Sequence, residues 1–122
     1  MKDSDEFSFL KETFKSLGNQ YFDSSEIIIG PGDDAGLVKN SQDTIYSVDA
    51  SVAGVHFPEN LAAEHVAFRS LSTAASDVVA CGGALKWILV SLTVDDVDLH
   101  WMEEFVKLVK EGILILSQMW IL

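Results

Sequence analysis

Residues 62–81 constrain this chain most, because Val66, Leu71, Ala74, Ala75, Val78 and Val79 recur there mainly on one broad helical face. Small residues are frequent in the segment, which predicts a helix packed closely against a sheet. Gly82-Gly83 follows directly, and glycine just past the last periodic position is a common helix stop.

Short elements surround this helix. Ser4 or Asp5 caps a predicted helix over about residues 6–17, with Phe7, Leu10, Phe14 and Leu17 at helical spacing and Gly18 after it. A polar stretch leads to the apolar run Ile27-Ile28-Ile29 and the turn Gly30-Pro31-Gly32. Residues 35–38 and 44–52 read as strands joined by Lys39-Asn40-Ser41-Gln42-Asp43, and residues 87–93 as a further strand. Residues 97–111 read as a helix capped by Asp98, with Val97 and Met102 placed for a hydrophobic staple. Gly112 is expected to close it, and the tail beyond either forms a last strand or extends the helix. The order predicts an α+β domain, a mixed β-sheet layered with helices, rather than a βαβ repeat.

The 122 residues suffice for one domain with a real core, and 48% hydrophobic against 22% charged is globular composition. Eight Lys and Arg against 19 Asp and Glu give a formal charge of −11, which argues against broad nucleic-acid or anionic-lipid binding. The apolar stretch at residues 113–122 is too short to span a bilayer as a helix, and residues 1–14 lack the apolar core of a signal peptide. The single cysteine, Cys81, forms no intramolecular disulfide. Together these features predict a cytoplasmic chain with no nucleic-acid or membrane partner.

Gly30-Pro31-Gly32-Asp33-Asp34-Ala35 fits the dinucleotide pattern G-x-G-x-x-G/A by letter. Two carboxylates occupy the place of the anion, however, and the residues after Ala35 start a helix poorly, so the fit is accidental. The carboxylates themselves are more informative. Asp33 and Asp34 enter a strand, Asp49 sits in an otherwise uncharged strand, and Asp77 sits in an apolar helical segment. Between Lys15 and Arg69 the only Lys or Arg is Lys39. Carboxylates embedded in apolar segments without cations are costly unless they bind metal or take a proton, and hard oxygen donors favour Mg²⁺ or Ca²⁺. The alternative is structural: Asp33 and Asp34 as turn formers, Asp49 on an exposed sheet face, Asp77 bonded to a backbone amide.

Other chemistry-bearing residues read more plainly. His56 follows the second of the paired strands, and a lone histidine there is more often packed or hydrogen-bonded than catalytic. His65 and His100 read as helix-surface residues. Cys81 has no charged neighbour to stabilise a thiolate and reads as a small residue at a helix end. Trp101, Met102, Phe105 and Leu108 read as helix core.

An ordered set of short motifs adds a family resemblance: Glu6-Phe7, Gly32-Asp33-Asp34-Ala35, Ser47-Val48-Asp49, Val52-Ala53-Gly54-Val55-His56-Phe57, Ser76-Asp77 and Ala80-Cys81-Gly82-Gly83-Ala84. Over residues 6–112 this set resembles the N-terminal domain of thiamine-monophosphate kinase, in the aminoimidazole ribonucleotide synthetase-like ATP-binding superfamily. The resemblance implies direct, Mg²⁺-assisted transfer of the ATP γ-phosphoryl group to thiamine monophosphate, giving thiamine diphosphate. It implies metal binding by Asp34, Asp49 and Asp77, with Asp33 beside Asp34, and auxiliary roles for Ser47 and the Val48 backbone carbonyl. It further implies that His56 meets the thiamine phosphate, that the protein mainly supplies position and electrostatics with no residue singled out as catalytic, and that the domain forms a homodimer.

Three positions depart from the family pattern. Val48 stands where threonine is frequent, no proline occurs near Leu85-Lys86, and residues 113–122 replace a strand and Gly-Gly-Asp-Thr turn. The expectation is a single N-terminal domain, 1–122, truncated from a longer kinase, with an unmatched tail and no C-terminal domain. Two alternatives are a non-catalytic dimerising fragment and another ATP-dependent enzyme of the same superfamily.

Overall fold

A computed structural model describes Ser8, Glu12, Thr13 and residues 27–29, 35–96 and 98–119, with side chains described as far as residue 112. The chain forms two compact units, Met1–Asp43 and Thr44–Leu122. Most of the expected first helix, the Gly30-Pro31-Gly32 turn, Asp33, Asp34 and Val97 lie outside the described residues.

In the first unit, β1 (Ile27–Ile29) pairs antiparallel with β2 (Leu37–Val38). Ile27 faces Val38 and Ile29 faces Leu37, so β1 advances two residues while β2 advances one. That mismatch is a bulge, which bends and twists the ribbon locally. β2 is shorter than the expected strand over residues 35–38.

The second unit is organised by two helices, α1 (Ala63–Ala80) and α2 (Leu99–Met119), which pack on one another. Among the described residues the buried side chains are Ala63, Val66, Ala67, Leu71 and Ala75 on α1 with Met102, Phe105, Val106 and Val109 on α2. The small residues of α1 therefore admit a second helix, where a sheet was expected. Trp101 stacks on Phe105 one turn away, with ring centroids 5.3 Å apart and planes 14° from parallel.

The helix ends show why the chain turns where it does. The Asp98 carboxylate accepts the amides of His100 (3.0 Å) and Trp101 (3.2 Å), an N-cap worth about 1 kcal/mol. α1 has no side-chain cap at Ala62, although Glu64 in the first turn favours the helix dipole. At its other end Gly82 N–H donates to Val79 O (2.8 Å) and Gly83 N–H to Val78 O (2.9 Å), a Schellman closure. Gly82 takes φ +76°, which a β-carbon would strain. Gly83 is constrained by space: a β-carbon there would lie 2.9 Å from Val78 Cγ1 and 3.1 Å from Ile45 Cδ1.

Two expectations are corrected. Gly112 does not close α2, which continues to Met119. It is a packing glycine, buried where a β-carbon would lie 2.9 Å from Leu71 Cδ1. Residues 44–52 and 87–93 join no strand ladder, and the bridge in this region joins Ala53 to Phe57. A strand requires a neighbour for its N–H and C=O groups, and neither segment has one among the described residues. Tyr46, Val48 and Leu89 are accordingly 79%, 97% and 94% exposed. The α+β class holds, with a two-stranded antiparallel sheet among the described residues.

Leu71→Ala is expected to destabilise the chain by about 2–5 kcal/mol. Gly112→Ala should gain more stability, or lose less, in the Leu71→Ala background than in the wild type, with a coupling of about 0.5–3 kcal/mol. Urea denaturation of the four proteins in that cycle measures it, and a coupling of zero would contradict the assigned contact.

Candidate functional site

Ser47 and Asp77 come together across thirty positions of sequence: the half-buried Ser47 donates its Oγ–H to Asp77 Oδ2 at 3.0 Å. Helix α1 supplies Asp77 and the irregular segment 44–52 supplies Ser47. Asp77 occupies the last turn of α1, where the helix dipole is negative and no basic residue offsets it. A carboxylate there costs about 0.3–1 kcal/mol relative to a neutral residue. Helix stability therefore does not explain this aspartate, and neither it nor Asp49 has a cationic partner among the described residues.

Asp49 and Asp77 are both exposed, which corrects the expectation of carboxylates embedded in apolar surroundings. Water meets their charge, so desolvation does not compel a metal at these positions. Val48 is almost fully exposed. Among the described residues no three His, Cys, Asp or Glu side chains cluster as a metal site, and Asp33 and Asp34 lie outside them. What fits a hard cation is the donor chemistry: a carboxylate with a hydroxyl beside it and no competing ammonium or guanidinium.

The loop carrying His56 is tightly determined. The Val52 carbonyl accepts the amides of His56 (2.8 Å) and Val55 (3.2 Å), and Gly54 N–H donates to Phe57 O at 2.8 Å. The Val52 amide in turn donates to His56 Nδ1 at 3.0 Å. Gly54 makes the turn with φ +74°, and a β-carbon on it would also approach Glu59 Oε1 to 3.3 Å. His56 is thus hydrogen-bonded through one nitrogen while its ring remains exposed. Sequence reasoning singled out His56 but missed Gly54 and the Val52 amide. The available signal was a glycine inside an apolar run with a histidine two residues later.

The remaining candidates are simpler. His65 and His100 lie exposed on α1 and α2, His65 beside Glu64 at 3.6 Å. Cys81 is the exposed C-cap residue of α1. Met102 and Phe105 are buried, with Trp101 and Leu108 half-buried.

Comparison with known proteins places this fold in a family. Residues 32–116 match the family described as AIR synthase related protein, N-terminal domain, and the chain belongs to it. Thiamine-monophosphate kinase of Escherichia coli (strain K12) is 32% identical over 102 residues, covering 82% of this chain and 30% of that protein. The protein of the same name from Buchnera aphidicola subsp. Acyrthosiphon pisum is 32% identical over 102 residues, covering 82% and 31%. The Bacillus subtilis (strain 168) protein of that name is 36% identical over 91 residues, covering 72% and 27%. The chain thus spans about three-tenths of the length of these relatives. No solved structure matches it significantly. No described helix is long and apolar enough to cross a membrane.

Asp77→Asn should leave the Ser47 hydroxyl an acceptor while removing a charge from the wrong end of α1. Without divalent metal, its stability in urea is expected to equal the wild type's or exceed it by about 0.3–1 kcal/mol. A clear loss of stability would mean that the carboxylate serves the fold.

Proposed function

We propose that this chain supplies the N-terminal, acidic portion of an ATP-dependent thiamine-monophosphate kinase, and that Asp34, Asp49 and Asp77, with Asp33, Ser47 and the Val48 carbonyl, hold Mg²⁺ for phosphoryl transfer. The observation that carries the reading is the Asp77 carboxylate, held by Ser47 at an unfavourable helix end without a cation. The relatives' name, thiamine-monophosphate kinase, supports the kinase part of the reading.

Asp34, Asp49 and Asp77 would hold Mg²⁺, which would supply the positive charge that a chain with eight Lys and Arg against 19 acids has in short supply. The protein's share of the work is position. Ser47 restricts the rotation of the Asp77 carboxylate, and the Val52–Phe57 turn fixes where His56 meets the thiamine phosphate. In this reading the protein is cytoplasmic, with ATP and thiamine monophosphate as its small-molecule partners.

A second reading, a dimerising module without turnover, draws support from the exposed Tyr46, Val48 and Leu89 on segments without ladder partners. A homodimer accommodates both readings.

Calorimetric titration with Mg²⁺ and ATP separates them. Metal-dependent nucleotide binding is expected in the wild type and a loss of roughly tenfold or more in affinity in Asp49→Asn, since charge-assisted contacts are the strong ones. A folded wild type that binds no nucleotide with Mg²⁺ would favour the dimerising module.

A further inference from the structure

The Val52–Phe57 turn decides which nitrogen of His56 carries the proton. A neutral imidazole has one N–H and one lone-pair nitrogen, and the hydrogen bond made by one fixes the state of the other. Here the Val52 amide donates to Nδ1 at 3.0 Å, so Nδ1 is the lone-pair nitrogen and the proton sits on Nε2. The amide is held in place by its own residue's carbonyl, which accepts from Val55 and His56. Closure of the turn depends on Gly54, whose φ of +74° disfavours a β-carbon. No partner engages Nε2 among the described residues, and the ring is exposed.

We propose that Gly54 and the Val52 amide are positioning groups that hold His56 as a neutral Nε2–H donor toward the phosphate of a phosphorylated ligand, which rests on the thiamine monophosphate reading above. A neutral donor supplies direction without charge. That suits a chain whose few cations leave phosphate neutralisation to bound metal. Gly54 acts only through the imidazole, by closing the turn that aims the Val52 amide.

The test is nitrogen-15 NMR of the histidine rings in the full chain, in alkaline buffer, before and during titration with thiamine monophosphate and Mg²⁺. The expected spectrum has His56 Nδ1 unprotonated and Nε2 protonated, with the exposed His100 as an internal reference for exchanging tautomers. The ligand should shift the His56 Nε2 signal. In Gly54→Ala, the His56 signals should move toward the exchanging values while the α1 and α2 amides stay in place. His56→Gln, which keeps an N–H near the Nε2 position, should retain affinity that His56→Ala loses by roughly tenfold or more.

A mixed or Nδ1–H tautomer in the wild type would overturn the lock and leave the proposed kinase function standing. A fixed tautomer whose Nε2 ignores the ligand would overturn the donor role and count against thiamine monophosphate as the ligand. A Gly54→Ala protein that keeps the fixed tautomer would remove Gly54 from the account. Should that variant not fold, the wild-type spectrum alone decides the lock.

Discussion

Packing of α1 on α2 is the constraint on which the second unit depends. Among the described residues nine apolar side chains are buried, all of them on these two helices. Their close approach relies on residues that are small or lack a side chain: Ala63, Ala67 and Ala75 on α1, and Gly112 against Leu71. Once α1 is fixed, its last turn holds Asp77 in a set place, and the Schellman closure at Gly82-Gly83 directs the chain away. The site inherits its order from a helix whose buried face lies elsewhere.

Electrostatics add a second layer. An aspartate in the last turn of a helix opposes the dipole, and a chain with 19 acidic residues against eight Lys and Arg has little positive charge to relieve it. Asp98 shows the favourable alternative, a carboxylate at a helix N-terminus accepting two amides. The same residue type thus serves the fold at one helix end and works against it at another. That contrast separates a capping aspartate from a candidate ligand more clearly than burial does, since both residues are exposed.

Local rules carried much of the fold. The period of residues 62–81, the Gly82-Gly83 stop and the Asp98 cap depend on neighbours in sequence, and each is present as read. Gly112 misled because a glycine's role at a helix interior depends on Leu71, forty-one positions away. Residues 44–52 and 87–93 misled because a β-rich composition describes a capacity to pair, and pairing requires a partner strand. At the candidate site, the order of short motifs singles out Ser47, Asp77 and His56. The bonds that join Ser47 to Asp77 and Val52 to His56 belong to the folded chain, and no spacing rule encodes them.

The most direct measurement of the central claim is paramagnetic broadening by Mn²⁺ substituted for Mg²⁺, followed residue by residue in the folded chain. A metal site built around Asp77 predicts saturable broadening at substoichiometric Mn²⁺, centred on Ser47, Asp49 and Asp77. Asp95, Asp96 and Glu103, which are also exposed acids, should be spared. Broadening spread evenly over all exposed carboxylates would show only the general attraction of a strongly acidic surface, and would contradict the site.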